Sequence, residues 1–109
     1  MHELSLMVSL VSLVGEKVGP AKVSTVRLEV GRLSAVVPDA LRFCFDLCTR
    51  GTQLEGAVLD IVEIGGRGKC RACGREMTLG HVLTACACGS DDVELVQGQE
   101  LRIRDVEVM

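Results

Sequence analysis

The chain has 109 residues, 48% of them hydrophobic, with two Phe and no Trp or Tyr. That length bounds one small domain with a modest core, a size at which a metal staple helps. Twelve basic against fifteen acidic side chains give a net charge of −3, which disfavours a dedicated nucleic-acid binder, and no apolar run approaches the ~20 residues of a membrane span.

Met1-His2-Glu3 opens the chain with an imidazole one residue from the α-amino group. The amine, the deprotonated amide of His2 and its ring nitrogen can form fused chelate rings around square-planar nickel(II), with a fourth donor from Glu3 or elsewhere. The ordinary amine pKa of ~7.7–8.0 would make such a site sensitive to pH near neutrality. The plainer reading of these three residues is an exposed histidine at a frayed end, with Glu3 favourable to a helix start.

Residues 4–18 carry the pattern of a helix: Ser5, Ser9, Ser12 and Glu16 draw one polar stripe, and Leu4, Leu6, Met7, Val8, Leu10, Val11, Leu13 and Val14 cover the rest. So wide an apolar face calls for a sheet beneath it and a second helix beside it. From Val23 the period becomes two, and Val26, Leu28 and Val30 alternate with Arg27 and Glu29 as in a half-buried strand. Gly31 to Val37 reads as a turn or irregular link. Pro38 suits the first position of a second helix, with Asp39 in its first turn, a buried side of Leu41, Phe43, Cys44, Phe45, Leu47 and Cys48, and Gly51 closing it. Ala57 to Ile64 reads as a strand buried on much of both faces, and Gly65-Gly66-Arg67-Gly68-Lys69 as a flexible connector, too short for a phosphate loop. Leu101 and Ile103 begin a last strand whose apolar phase slips to Val106 and Val108, as a bulge near Arg104-Asp105 would cause.

Between these strands lies CRACGREMTLGHVLTACACGS, residues 70–90. It holds Cys70-x-x-Cys73-Gly74 and, twelve residues on, Cys86-x-Cys88-Gly89. A cysteine pair followed by glycine is a metal knuckle, and two pairs supply the four sulfurs of a closed tetrahedral Zn(II) site. The second pair has one intervening residue where two are usual, so His81 is an alternative to Cys86 as fourth ligand. A redox pair would want a helix N-terminus beneath it, which the glycines before Cys70 do not offer. Six cysteines without a secretory signal point to the reducing cytoplasm rather than to disulfides.

Cys44 and Cys48, four apart beside Phe43, Phe45 and Leu47, read as small buried hydrophobes rather than a second metal or redox site. Arg67, Lys69, Arg71 and Arg75 read as a solvated knuckle surface. No nucleophile–base pair stands out, so catalysis is not supported. The expected architecture is α+β, a three-stranded sheet with two helices, formed by residues 1–66 and 93–109, plus an inserted zinc-ribbon-like module with two knuckles over 67–92.

Met1-His2-Glu3-Leu4-Ser5, Glu29-Val30-Gly31, Val37-Pro38-Asp39-Ala40-Leu41-Arg42-Phe43, Cys70…Cys88-Gly89-Ser90 and Gly98-Gln99-Glu100-Leu101 together resemble the HypA/HybF family, in the same order and over essentially the whole chain. That resemblance implies a non-enzymatic nickel metallochaperone for maturation of NiFe-hydrogenase and, in some organisms, urease. It implies that His2 is the essential nickel ligand, with Glu3 in the same site beside the Met1 amine of the chelate reading, and that Cys70, Cys73, Cys86 and Cys88 bind structural Zn(II). The implied partners are the GTPase HypB, the hydrogenase large-subunit precursor and urease accessory proteins, with no nucleic acid or membrane, and a monomer or homodimer as the working form. The family pattern at the second knuckle is Cys-x-x-Cys-Gly-Ser, which places Ala85 where a cysteine belongs and Cys86 one position late. A zinc-ribbon adaptor for protein or nucleic acid, without nickel, is the rival reading.

Overall fold

The computed structural model describes residues 3–80 and 84–109. Its elements are α1 (Glu3–Val18), β1 (Val23–Gly31), α2 (Pro38–Cys48), β2 (Val58–Ile64), β3 (Gly66–Cys70), β4 (Glu76–Leu79), β5 (Val93–Gln97) and β6 (Leu101–Val108). The strands form two three-stranded sheets, ordered β2-β1-β6 and β4-β3-β5. The chain divides into two compact units, one of Met1–Leu28, Ala35–Val62 and Arg102–Met109 and the other of Glu29–Ser34 and Glu63–Leu101. The α+β class, the two helices and a cysteine module stand as the sequence implies.

In the first unit, α1 buries Met7, Val11 and Val14, spaced four and three apart, and packs on α2. Ser5, Ser9, Ser12 and Glu16 are all exposed, so the polar stripe faces water. Gly19 ends the helix with φ +59°, and the Gln53 side-chain amide donates to the carbonyls of Gly15 and Gly19, at 3.3 and 2.6 Å, satisfying orphan acceptors of the last turn. Pro38 opens α2 as expected. Its buried side is narrower than its composition suggests: Leu41, Cys44 and Phe45 are buried, but Phe43 is 65% and Leu47 40% exposed. At about 100° per residue, Phe43 and Leu47 lie on the far side of the helix from Leu41, and one neighbouring layer covers only one face.

β1 buries Val26, Leu28 and Val30. β2 departs from expectation, since Leu59 is its one buried residue. It is an edge strand, with Val58 exposed and Ile61, Val62 and Ile64 half-buried. In β6 Leu101, Ile103 and Val106 are half-buried, so the slip in phase is real. The Arg27 guanidinium joins three strands, meeting Asp60 of β2 at 3.5 Å and Asp105 and Glu107 of β6 at 2.5 and 2.7 Å. Hydrogen bonds to Glu107 and Asp105 raise its pKa still further above the ordinary arginine value.

In the second unit, the expected flexible connector is a strand. Gly66–Cys70 forms β3, the middle of its sheet, antiparallel to both β4 and β5. Its residues alternate, Gly66, Gly68 and Cys70 buried and Arg67 and Lys69 exposed. The inward glycines are there for closeness rather than freedom: a Cβ on Gly66 would lie 2.5 Å from Leu33 Cδ1, and one on Gly68 2.7 Å from Val93 Cγ1. Gly31 is tighter still, its hypothetical Cβ 1.9 Å from the Gly98 carbonyl oxygen, where Leu33 N–H donates to Gly98 and Gly31 N–H to Glu100.

Gly31→Ala must therefore move backbone and is expected to cost about 3 kcal/mol or more. Gly65→Ala, whose Cβ would meet nothing within 4 Å, is expected to stay within ~0.5 kcal/mol of wild type. Denaturant unfolding of the two variants side by side checks the contrast; equal losses would refute it.

Candidate metal centre

Two hairpin turns present the cysteines. In the first, Cys70 ends β3, its N–H donates to the Arg75 carbonyl at 2.8 Å, and Gly74 N–H returns to the Cys70 carbonyl at 2.8 Å. Gly74 has φ +77°, a left-handed conformation that a side chain would strain. In the second, Cys86 N–H donates to the Ser90 carbonyl at 2.9 Å, and Gly89, with φ +95°, returns its N–H to the Cys86 carbonyl at 3.0 Å. The clasp runs from residue 70 to 75 in one turn and from 86 to 90 in the other. The second knuckle is thus closed by the same pair of backbone bonds over a turn one residue shorter, which is how Cys86-x-Cys88 presents both its sulfurs.

The four sulfurs of Cys70, Cys73, Cys86 and Cys88 all lie within 4.8 Å of one another. Cys70 and Cys88 are 3.7 Å apart, as are Cys73 and Cys86. A tetrahedral zinc with bonds of ~2.3 Å would place its sulfurs about 3.8 Å apart, so the cluster has the dimensions of that ion. Cys70 and Cys86 are buried, at 0% and 5% exposure, while Cys73 and Cys88 are exposed. Arg71 ties the turns to β5: its N–H donates to the Asp92 carbonyl and its guanidinium to the Asp92 carboxylate, both at 2.9 Å. The Ser90 hydroxyl accepts the Asp92 N–H at 3.1 Å. Asp92 and Ser90 carry no ligand-type motif of their own; the one available signal is the polar run just past the last cysteine.

Without a cation the four thiols do not ionise alike. Amide N–H bonds, first from Cys73 and then Ala72, draw Cys70 down to about 6 despite its burial. At Cys88 the Ser90 N–H pulls downward, but the sulfurs of Cys86 and Cys70, with burial, push it up to about 11. A divalent cation would remove that conflict by letting all four carry charge.

Of the other predicted site residues, Met1, His2 and His81 lie outside the described residues. Glu3 opens α1, and its carboxylate accepts the N–H of Val37, the residue that caps α2, at 3.4 Å. Cys44 is buried and Cys48 half-buried, and neither joins the sulfur cluster; burial, then Cys44, raises the Cys48 thiol. Half of the basic run is ion-paired. Arg67 pairs with Glu76 at 3.8 Å, Arg71 with Asp92, and Lys69 stands opposite both Glu76 and Glu94 in register.

The family described as "Hydrogenase/urease nickel incorporation, metallochaperone, hypA" matches residues 1–108. The chain is 51% identical over 108 residues to a hydrogenase maturation factor HypA of Trichormus variabilis, covering 99% of this chain and 96% of that protein. It is 46% identical to a hydrogenase maturation factor HypA of Geobacter metallireducens, covering 99% of each. Its fold matches the solution structure of the Ni metallochaperone HypA from Helicobacter pylori with a TM-score of 0.71, at 26% identity, over 100% of this chain and 98% of that one.

The two thiol shifts have opposite linkage signs. The depressed Cys70 stabilises the metal-free fold above the ordinary thiol value of ~8.5, a contribution lost as pH falls through about 6. The raised Cys88 contributes below that ordinary value and loses its contribution as pH rises through about 11. Titration of the metal-free protein by thiolate ultraviolet absorbance is expected to begin with a step near pH 6 that Cys70→Ser removes. A first step at the ordinary thiol value in both proteins would count against the assignment.

Proposed function

Because the chain belongs to the HypA family of nickel-incorporation metallochaperones for hydrogenase maturation, we propose that it carries nickel(II) on its amino-terminal nitrogens while its four cysteines hold a structural zinc. The protein is a metallochaperone and not an enzyme. The observation that carries the division of labour is the sulfur cluster itself. Four thiolates at tetrahedral spacing form a closed, soft site that suits zinc and leaves no position for a transient cargo. Cargo then falls to a different donor set, and Met1-His2-Glu3 offers nitrogen.

In this reading the Met1 amine, the His2 amide and the His2 imidazole bind nickel, with Glu3 beside them. Glu3 opens α1 and accepts a bond from the start of α2, so it anchors the chelating residues to two helices of the first unit. Transfer proceeds by ligand exchange, the receiving protein adding a donor before His2 leaves. The recipients are the GTPase HypB and the hydrogenase large-subunit precursor, with urease accessory proteins where that enzyme is present. Reduced thiols suit the cytoplasm. The neutralised Arg67 and Arg71 do not favour the nucleic-acid adaptor.

Titration of zinc-loaded protein with Ni(II) tests the assignment. His2→Ala is expected to weaken nickel binding at least about tenfold while zinc stays bound, and so is a one-residue extension ahead of Met1, which displaces the amine. Wild-type affinity should fall as pH drops below the ~7.7–8.0 of the amine, because protons compete for it. Nickel binding unchanged in both variants would leave the nickel-free adaptor standing.

A further inference from the structure

The sulfur cluster combines close sulfur pairs with unequal burial. Each knuckle contributes one buried and one exposed cysteine, Cys70 and Cys73 from the first and Cys86 and Cys88 from the second. Sulfurs meet within the knuckles as well, Cys70 with Cys73 and Cys86 with Cys88, but each exposed cysteine also has a buried partner on the other knuckle at 3.7 Å, Cys88 with Cys70 and Cys73 with Cys86. We infer that the centre is an oxidation site for hydroperoxides, at which each exposed sulfur takes the oxygen and the buried sulfur facing it on the other knuckle resolves the product, forming Cys70–Cys88 and Cys73–Cys86 and expelling the metal. This rests on the four-thiolate zinc reading given above.

The steps balance. The Cys88 thiolate attacks one peroxide oxygen, an S–O bond forms, the O–O bond breaks and hydroxide leaves. The Cys70 thiolate then attacks the sulfenic sulfur, an S–S bond forms and the S–O bond breaks with loss of a second hydroxide. Two electrons pass from the sulfur pair to one peroxide, and a second peroxide repeats the sequence at Cys73 and Cys86. Zinc, stripped of two thiolates at each step, is released.

Within-knuckle pairing is the competing outcome, and the short second turn weighs against it. One intervening residue gives Cys86 and Cys88 too little backbone to close an unstrained disulfide, so oxidation along the chain would stop at Cys70–Cys73 and strand two thiols. The crossed pairing consumes all four and staples the knuckles together. A dithiol reductant restores the zinc-binding state. Cys44 and Cys48 serve as internal controls, the first buried and the second with its thiol raised by burial.

The test is hydrogen peroxide added to the zinc-loaded protein, with zinc release followed by a chromogenic chelator and disulfides mapped by peptide mass spectrometry. Wild type is expected to release its zinc, lose four hydrogens in mass, and yield Cys70–Cys88 and Cys73–Cys86 with Cys44 and Cys48 still reduced. Cys88→Ser is expected to form one disulfide per chain, Cys73–Cys86, and Cys73→Ser only Cys70–Cys88, halving the yield in each. A zinc-loaded protein that instead forms Cys70–Cys73, or oxidises Cys44 and Cys48 before its zinc leaves, overturns the inference alone. A protein with no zinc on these cysteines overturns the zinc reading and the inference with it.

Discussion

The second unit depends on sulfur for its core. Among its described residues the buried hydrophobic side chains are Val30, Leu79, Cys70 and Cys86, so half of that interior is cysteine. A sheet built on Gly-Arg-Gly-Lys-Cys buries little apolar surface with which to offset the entropy of ordering its strands. A metal on the four sulfurs would add stabilisation there, since its binding free energy would be folding free energy. The glycines that lower the apolar content also let β3 approach Leu33 and Val93 closely enough for the turns beyond it to meet.

The first unit stands on different physics. Met7, Val11 and Val14 of α1, Leu41, Cys44 and Phe45 of α2, and Val23, Val26 and Leu28 of β1 give it an ordinary packed interior that needs no ion. That independence matters for a carrier. Under the proposed division, nickel at the chain terminus would come and go without the fold beneath it following, whereas zinc in the second unit would not leave without disturbing part of the interior. The chemistry of the donors runs the same way in that proposal, borderline nitrogen for an ion that would move and thiolate for one that would stay.

Charge in the molecule is spent locally. Arg27 gathers carboxylates from both neighbouring strands, and near the first knuckle Arg67 meets Glu76 of β4 and Arg71 meets Asp92, just ahead of β5. A run of Arg and Lys in the sequence thus becomes a series of cross-strand pairs, because antiparallel register sets Glu76 and Glu94 opposite Lys69. What reads as a basic patch in one dimension is partly paired off in three.

Residue order alone determined the elements whose signals are local. The serine stripe of α1, Pro38 at the start of α2 and the two cysteine–glycine pairs each express a short-range rule, and each stands in the fold, whereas β1 is a strand as its alternation implies but buries Glu29 along with Leu28 and Val30. Only tertiary structure decided the rest. β3 carries no apolar pattern because its inward residues are glycines chosen by the backbone and side chains they approach, from Leu33 to Val93. Phe43 and Leu47 look like core until the helix is placed, since hydrophobicity does not say which side of a helix its neighbour will cover. The displaced Cys86 looks like a flaw in a motif until its turn is seen to close on Ser90 one residue early. In each case the deciding contact joins groups distant along the chain or depends on a turn's closure, and a pattern of side-chain types holds no record of either.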